Sequence, residues 1–180
     1  MNLVPCSVVS NREVTPGNFL LTLQVPRGFS RPQPGQFVHL RITQDVEPLL
    51  RRPYSLEGFV ERGKLRAARI YYSVVGRGSR LLSLHQPGTR LDVIGPLGIG
   101  FSPRPRRLPI LVAGGRGVAP LLFLSRRLRE RKRPLGETYS RLCRTERLAM
   151  DGRDCFQSRS RDCFFRPNRH NFRWTIARSG

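Results

Sequence analysis

Residues 51–56 read RRPYSL. An arginine, a proline, an aromatic and a hydroxyl follow one another inside a stretch of strand-like composition. The rest of the chain organises around this stretch. Downstream come YYSVVGRGSRLLSL at 71–84, LDVIGPLGIGF at 91–101 and ILVAGGRGVAPLLFL at 110–124. In strand alternation Arg52 and Tyr54 point to one face and Ser55 to the other.

Working outward, the first hundred residues read as short strands separated by turn residues. VPCSVVSNREV and FLLTLQVP are β-rich, and Pro16 and Gly17 mark the turn between them. GQFVHLRI alternates Phe37 and His39 against Val38 and Leu40. RPYSLEGFV and LRAARIYYSVV flank the hairpin-type turn ERGK, and TRLDVIG is the last of the set. Six short strands at this spacing predict a closed antiparallel barrel. One short helix is expected just after Gly78, in GSRLLSLHQ.

The pattern then changes. LPILVAGG is a short continuous apolar run, as expected for a strand buried on both faces of a parallel sheet. A glycine turn follows, then a helix in which Pro120 suits the first turn and Leu121, Leu124 and Leu128 repeat at helical spacing. This is the opening strand–loop–helix of a doubly wound domain. The fold class is therefore a β barrel plus α/β. The expected division is a barrel over 1–102, the incomplete start of a nucleotide-binding domain over 103–135, and a tail over 136–180. The tail keeps no period of 2 or 3.6 and has few aliphatic residues. It reads as disordered or aberrant, which would leave the strand and helix before it without sheet partners.

Composition narrows the function. The chain has 180 residues and a formal net charge of +21, from 33 basic and 12 acidic side chains. Such a charge raises nucleic acid as a partner, and a basic nucleic-acid-binding module is the alternative from a different class. It is disfavoured because the arginines of the first hundred residues are scattered through strand patterns. The dense run RRLRERKR, 126–133, falls at a helix end, where cations suit the dipole. No apolar run reaches membrane-spanning length, and MNLVPCSVVSNREV lacks a signal-peptide pattern. A cytoplasmic protein is expected. Cys6, Cys143, Cys155 and Cys163 match neither a zinc nor a thioredoxin-type spacing.

Several residues carry candidate chemistry. Arg52 can make bidentate, charge-assisted bonds to a phosphate. Pro53 fixes the backbone, Tyr54 offers an aromatic face, and Ser55 offers a hydroxyl. Gly76 and Gly78 allow close backbone approach, and Ser79 stands where a helix begins, a place suited to an anion or simply to a cap. Gly114, Gly115 and Gly117 form a glycine turn between a buried strand and a helix, the context in which such a turn approaches a pyrophosphate. No side chain is assigned as a catalytic acid or base, and no metal ligand is assigned.

The order and spacing of these motifs resemble the ferredoxin-reductase-like flavoproteins, and most of all the electron-transfer subunits of dihydroorotate dehydrogenase. The resemblance covers roughly Val4 to Arg133. It implies an FAD-binding barrel in which Arg52, Pro53, Tyr54 and Ser55 form the flavin motif. Ile70, Tyr71 and Tyr72 match the strand along the flavin and ribityl group, and Gly76, Gly78 and Ser79 match a Gly-x-Gly-Thr phosphate turn. Gly114, Gly115 and Gly117 match the nicotinamide-nucleotide turn, with NAD as co-substrate. Arg116 departs from the small or aliphatic residue common there, and Ser73 from a basic one. The resemblance also implies a catalytic dihydroorotate dehydrogenase partner and a [2Fe-2S] centre. Such a centre needs four thiolates, and Cys143, Cys155 and Cys163 are too few and differently spaced. The expected function is FAD-dependent electron transfer to or from a nicotinamide nucleotide in pyrimidine biosynthesis, with a generic ferredoxin or flavin reductase as the alternative.

The resemblance ends near residue 135. A back-translation of the tail with freely chosen synonymous codons, read one base later, can give GKLTLAFAARN and IVFKAGAETVFL, both strand-patterned. A truncated or frame-shifted reading of the tail is the expectation that follows.

Overall fold

The computed structural model describes residues 3–43, 50–63, 65–104 and 109–131, and beyond them only the backbone of five short strands. Six strands form a closed barrel: β1 (Leu3–Thr15), β2 (Asn18–Gln24), β3 (Phe37–Arg41), β4 (Arg52–Arg62), β5 (Leu65–Ser73) and β6 (Arg90–Leu97). Their order around the barrel is β1-β2-β5-β4-β3-β6, every neighbour antiparallel. The expected barrel is therefore present. Alternation supplies its interior: Val8, Leu21, Leu23, Val38, Leu40, Leu56, Ile70, Leu91 and Val93 are all buried in one cluster. Phe37 and His39, out of phase with Val38 and Leu40, are half-buried on the other face of β3, as the period of two requires.

The barrel wall carries one irregularity in β4. The β4–β5 register shifts between Leu56 and Gly58. Glu57 is the extra residue, and a bulge of this kind re-aims a side chain. Glu57 is completely buried.

The helix α1 (Arg77–Ser83) starts slightly before the expected position and packs on the barrel core through the fully buried Leu82. Asn11 of β1 fastens its far end. The Asn11 amide donates to the Leu82 carbonyl at 2.8 Å and the His85 carbonyl at 3.3 Å. These bonds supplement the helix end, where the Leu82 carbonyl also accepts from the His85 N–H at 3.2 Å. His85 Nε2 lies 2.7 Å from the Ile42 carbonyl and holds the following turn.

After the barrel come β7 (Leu111–Gly114), a 3-10 turn over Gly115–Gly117, and α2 (Val118–Glu130). The leucine repeat works as expected: Leu124 and Leu128 pack on Leu111. The start of α2 turns to the barrel. Val118 and Ala119 meet Leu20 and Tyr71, and Phe123 joins the barrel core. β7 takes a parallel neighbour, β8 (Thr138–Arg141), which corrects the expectation that it has none. A strand, a helix and a parallel strand make one βαβ unit. Two further antiparallel pairs follow, β9 (Ala149–Met150) with β10 (Asp154–Cys155) and β11 (Phe164–Pro167) with β12 (Trp174–Ala177). The rest of the expected tail lies outside the described residues. Ile110 and Val112, out of phase with Leu111 and Ala113, are largely exposed, so β7 is covered on one face and not on both as expected.

Cys6 is a buried member of the barrel core, as a structural thiol would be. Burial, aided by Asp92, pushes its thiol up to about 12.

Asn11 is expected to matter more than its surface position suggests. It also accepts a hydrogen bond from the Tyr72 hydroxyl at 3.0 Å. Asn11→Ala should cost about 1–3 kcal/mol by leaving that hydroxyl without its acceptor and removing the side-chain donor from the Leu82 and His85 carbonyls. Urea denaturation of the two proteins measures the difference.

Candidate functional site

The RRPYSL stretch and the first glycine turn, separated by some twenty residues in sequence, meet at one rim of the barrel. β4 carries Arg52 and Tyr54, both half-buried, and Pro53 and Ser55, both exposed. The expected alternation is thus observed. Arg52 lies against Gly78: a Cβ built on that glycine would stand 3.4 Å from Arg52 Nε and 3.3 Å from Ile42 Cδ1. A side chain at 78 would crowd the guanidinium, so the glycine permits the approach. Arg52 Nη1 donates to the Leu50 carbonyl at 3.2 Å, which braces the group at the rim.

Tyr54 meets Tyr72 edge to face, with ring centroids 5.8 Å apart, and Tyr72 stacks on Phe19 at 5.5 Å. Such arrangements suit the ring quadrupoles. Burial raises the Tyr54 phenol above its ordinary range, opposed by the Arg52 charge. Burial raises Tyr72 further; its bond to Asn11 opposes the shift, and Tyr54 adds to it.

The structure sharpens the expectation for the β5 triplet. Ile70 and Tyr72 face the barrel interior, and Tyr71 faces the other way, into the cluster with Ala113, Val118 and Ala119. All three side chains are buried in packing. What they leave to a ligand is backbone.

Ser79 is also committed locally. Its hydroxyl accepts from the Val75 and Gly76 N–H groups at 2.9 and 3.1 Å and donates to the Gly76 carbonyl at 3.0 Å. It shapes the 75–79 turn. Gly76 is exposed, with open space where a side chain would be.

The second glycine turn lines a different wall. A cleft of about 530 Å³ is bounded by Ser73 and Val75 from the end of β5 and by Gly114, Gly115, Arg116 and Gly117. Gly115 has φ +49°, and no atom stands within 4 Å of a Cβ placed on Gly114, Gly115 or Gly117. The turn therefore presents open backbone at the start of α2, where N–H groups favour an anion. Arg116 is its exposed cation. Ser73 donates to Asn18 Oδ1 at 2.5 Å, which fixes the opposite wall. The structure thus brings Arg52, Tyr54, Gly78 and Ser79 to one rim and gathers Gly114, Gly115 and Gly117 across a cleft from the end of β5.

Sequence reasoning missed Glu57. It lies in the stretch RPYSLEGFV yet is wholly buried, paired with Arg69 of β5 at 3.0 Å and with Arg126 of α2. The one available signal was an acidic residue set beside a glycine inside a strand, a mark of a bulge.

A closed six-stranded antiparallel barrel with a helix on its core, followed by strand, glycine turn and helix, is the ferredoxin-reductase-like flavoprotein architecture. Among solved structures the chain is similar to an NADH-dependent reduced ferredoxin–NADP oxidoreductase, at TM-score 0.67 and 26% identity over 82% of this chain and 51% of that one. It is also similar to the ferredoxin reductase of carbazole 1,9a-dioxygenase, at TM-score 0.63 and 25% identity over 74% and 41%. By sequence it is homologous to the electron transfer subunit of dihydroorotate dehydrogenase B (NAD(+)). The protein of that name from Geobacillus thermodenitrificans is 41% identical over 129 residues, 69% of this chain and 49% of the relative. That of Bacillus pumilus is 39% identical over 125 residues, 68% and 48%. The chain spans about half the length of these relatives. No family model matches it. Among the described residues no helix is long and apolar enough to cross a membrane.

The two raised phenols have a measurable consequence. A phenol whose folded pKa lies above its unfolded value favours the folded state below the unfolded pKa, near 10, and loses that contribution as pH rises through the folded one. Unfolding free energy should therefore fall above pH 10 in the parent. It should fall less steeply in Tyr72→Phe, as read by denaturant titration at pH 9 and pH 11.

Proposed function

We propose that the barrel binds FAD and that the chain passes electrons between this flavin and a nicotinamide nucleotide, NAD. In this reading it is the electron-transfer half of an NAD-linked dihydroorotate dehydrogenase of pyrimidine biosynthesis, a cytoplasmic protein working with a separate catalytic subunit. One observation carries the reading. Arg52, inside an Arg-Pro-Tyr-Ser sequence, is held against Gly78 of the first glycine turn, on a barrel homologous to subunits of that name.

The fit to a dinucleotide is local and specific. Arg52 offers a fork of donors to a phosphate. Gly78 keeps the backbone close to that guanidinium, and Ser79 holds the turn in shape. Tyr54 offers the edge of an aromatic wall that Tyr72 and Phe19 stiffen from behind. Pro53 and Ser55 are exposed on the neighbouring face, where the Ser55 hydroxyl is free to point at a ligand ring. Ile70, Tyr71 and Tyr72 support this surface with their backbone and packing. Gly114, Gly115 and Gly117 are assigned to the nicotinamide nucleotide, whose pyrophosphate suits open N–H groups at the start of α2.

When bound, the flavin supplies one- and two-electron exchange, and the protein supplies placement and charge. No acid or base from this chain is needed for hydride transfer. The iron–sulfur centre of the complete complex is assigned to no residue here. A ferredoxin or flavin reductase acting without dihydroorotate is the second reading, favoured by the similarity to the ferredoxin–NADP oxidoreductase. Co-purification with a dihydroorotate-oxidising subunit separates the two.

Arg52→Ala tests the flavin site. Losing a charge-assisted phosphate contact should cost about 1.5–3 kcal/mol, roughly a ten- to a hundredfold loss of FAD affinity. Quenching of flavin fluorescence on titration measures it. Unchanged affinity would make Arg52 an ordinary surface arginine.

A further inference from the structure

Glu57 is the completely buried carboxylate of the barrel wall, and the flavin and nucleotide sites do not use it. The bulge between Leu56 and Gly58 turns it out of the β4–β5 ladder toward α2. There it meets two guanidinium groups. Arg69, on β5, approaches with Nε 3.0 Å from Oε2. Arg126, on α2, bonds Oε1 through Nη1, and the same nitrogen donates to the Glu57 carbonyl at 3.2 Å. Gly58 leaves room for this: a Cβ there would stand 3.4 Å from Arg126 Nη1.

The two ends of this triad lead to the two sites. Glu57 follows Arg52, Tyr54 and Ser55 on the same strand, β4. Arg126 lies on the helix whose N-cap is Gly117, the last residue of the glycine turn that lines the cleft. Near its start α2 also meets the barrel through apolar contacts, by Val118, Ala119 and Phe123. Apolar contact is non-directional and tolerates sliding. A buried carboxylate paired with guanidinium groups through a charge-assisted hydrogen bond is directional.

We propose that Glu57 is a positioning residue: through Arg69 and Arg126 it sets the spacing between the barrel rim and the glycine turn, and so the separation of flavin and nicotinamide nucleotide. The proposal rests on the two-site reading above. It matters because transfer between two bound groups is sensitive to misplacement on the scale of an ångström.

The test separates spacing from stability and from ligand assignment. Spin labels on cysteines introduced at Val75 and Arg116, on opposite walls of the cleft, report the wall-to-wall distance by pulsed electron resonance in the whole chain, with native Cys143, Cys155 and Cys163 changed to serine. Three backgrounds are compared: parent, Glu57→Gln, and Glu57→Gln with Arg126→Met. The last removes one of the two guanidiniums that the first substitution leaves without a carboxylate, so it recovers part of the stability without restoring the grip. The expected result is a narrow distance distribution in the parent and a broad or shifted one in both variants. FAD affinity should stay within about twofold and NADH affinity should fall at least tenfold, a difference of 1.4 kcal/mol. If Glu57→Gln fails to fold, the double variant carries the test. A distribution in the double variant as narrow as the parent's overturns the proposal. If the parent binds no NADH at all, the nucleotide reading fails, while the distance comparison still decides whether Glu57 sets the spacing.

Discussion

A six-stranded sheet closes into a barrel only if one strand pairs along both of its edges at the seam, and here that strand is β1. Its thirteen residues pair with β2 over Ser7 to Thr15 and with β6 over Leu3 to Ser7. Register shifts between Val8 and Ser10 and between Glu13 and Thr15 bend it from one partner to the other. Everything proposed for the rim depends on this closure. It places β4 between β3 and β5, brings the Asn11 amide to the end of α1 and its carbonyl to Tyr72, and thereby sets Gly78 against Arg52.

The barrel was legible because alternation survives in its strands. Val38 and Leu40 against Phe37 and His39 show the period of two in residue type and again in burial. The strand–glycine turn–helix was legible because LPILVAGG is continuous and apolar and is followed by leucines at helical spacing. Less was legible where chemistry and packing compete for the same side chain. Tyr71 and Tyr72 read as part of a strand along the flavin, and which of their atoms a ligand could meet was not legible: neighbouring positions on a strand face opposite sides, and both sides of β5 are covered. Ser79 read as suited to an anion or to a cap, and in the fold its hydroxyl bonds the turn it belongs to. Glu57 was invisible because a buried carboxylate depends on partners 12 and 69 residues away in sequence. Parallel pairing of β7 with β8 escaped notice because four residues, Thr138 to Arg141, carry too short a pattern to declare a strand.

The two proposed sites are different kinds of surface. The rim around Arg52 is stiff: stacked and edge-on aromatics stand behind Tyr54, and the arginine is braced by a carbonyl. The wall at Gly114–Gly117 is open backbone with room on every glycine that lines it. A cofactor held throughout turnover suits the first, and a co-substrate that must arrive and leave suits the second. The strong positive charge of the chain, +21, favours anionic ligands at both, while position and hydrogen-bond geometry decide which anion is held.

Flavin binding tests the central claim most directly. FAD and riboflavin share the ring system, and only FAD carries the pyrophosphate that Arg52 is assigned to hold. Titrating the purified, flavin-free chain with each and following fluorescence quenching should give saturable binding of FAD with a single site, and binding of riboflavin at least tenfold weaker, a difference of about 1.4 kcal/mol. Equal affinity for the two, or saturable binding of neither, would contradict the account.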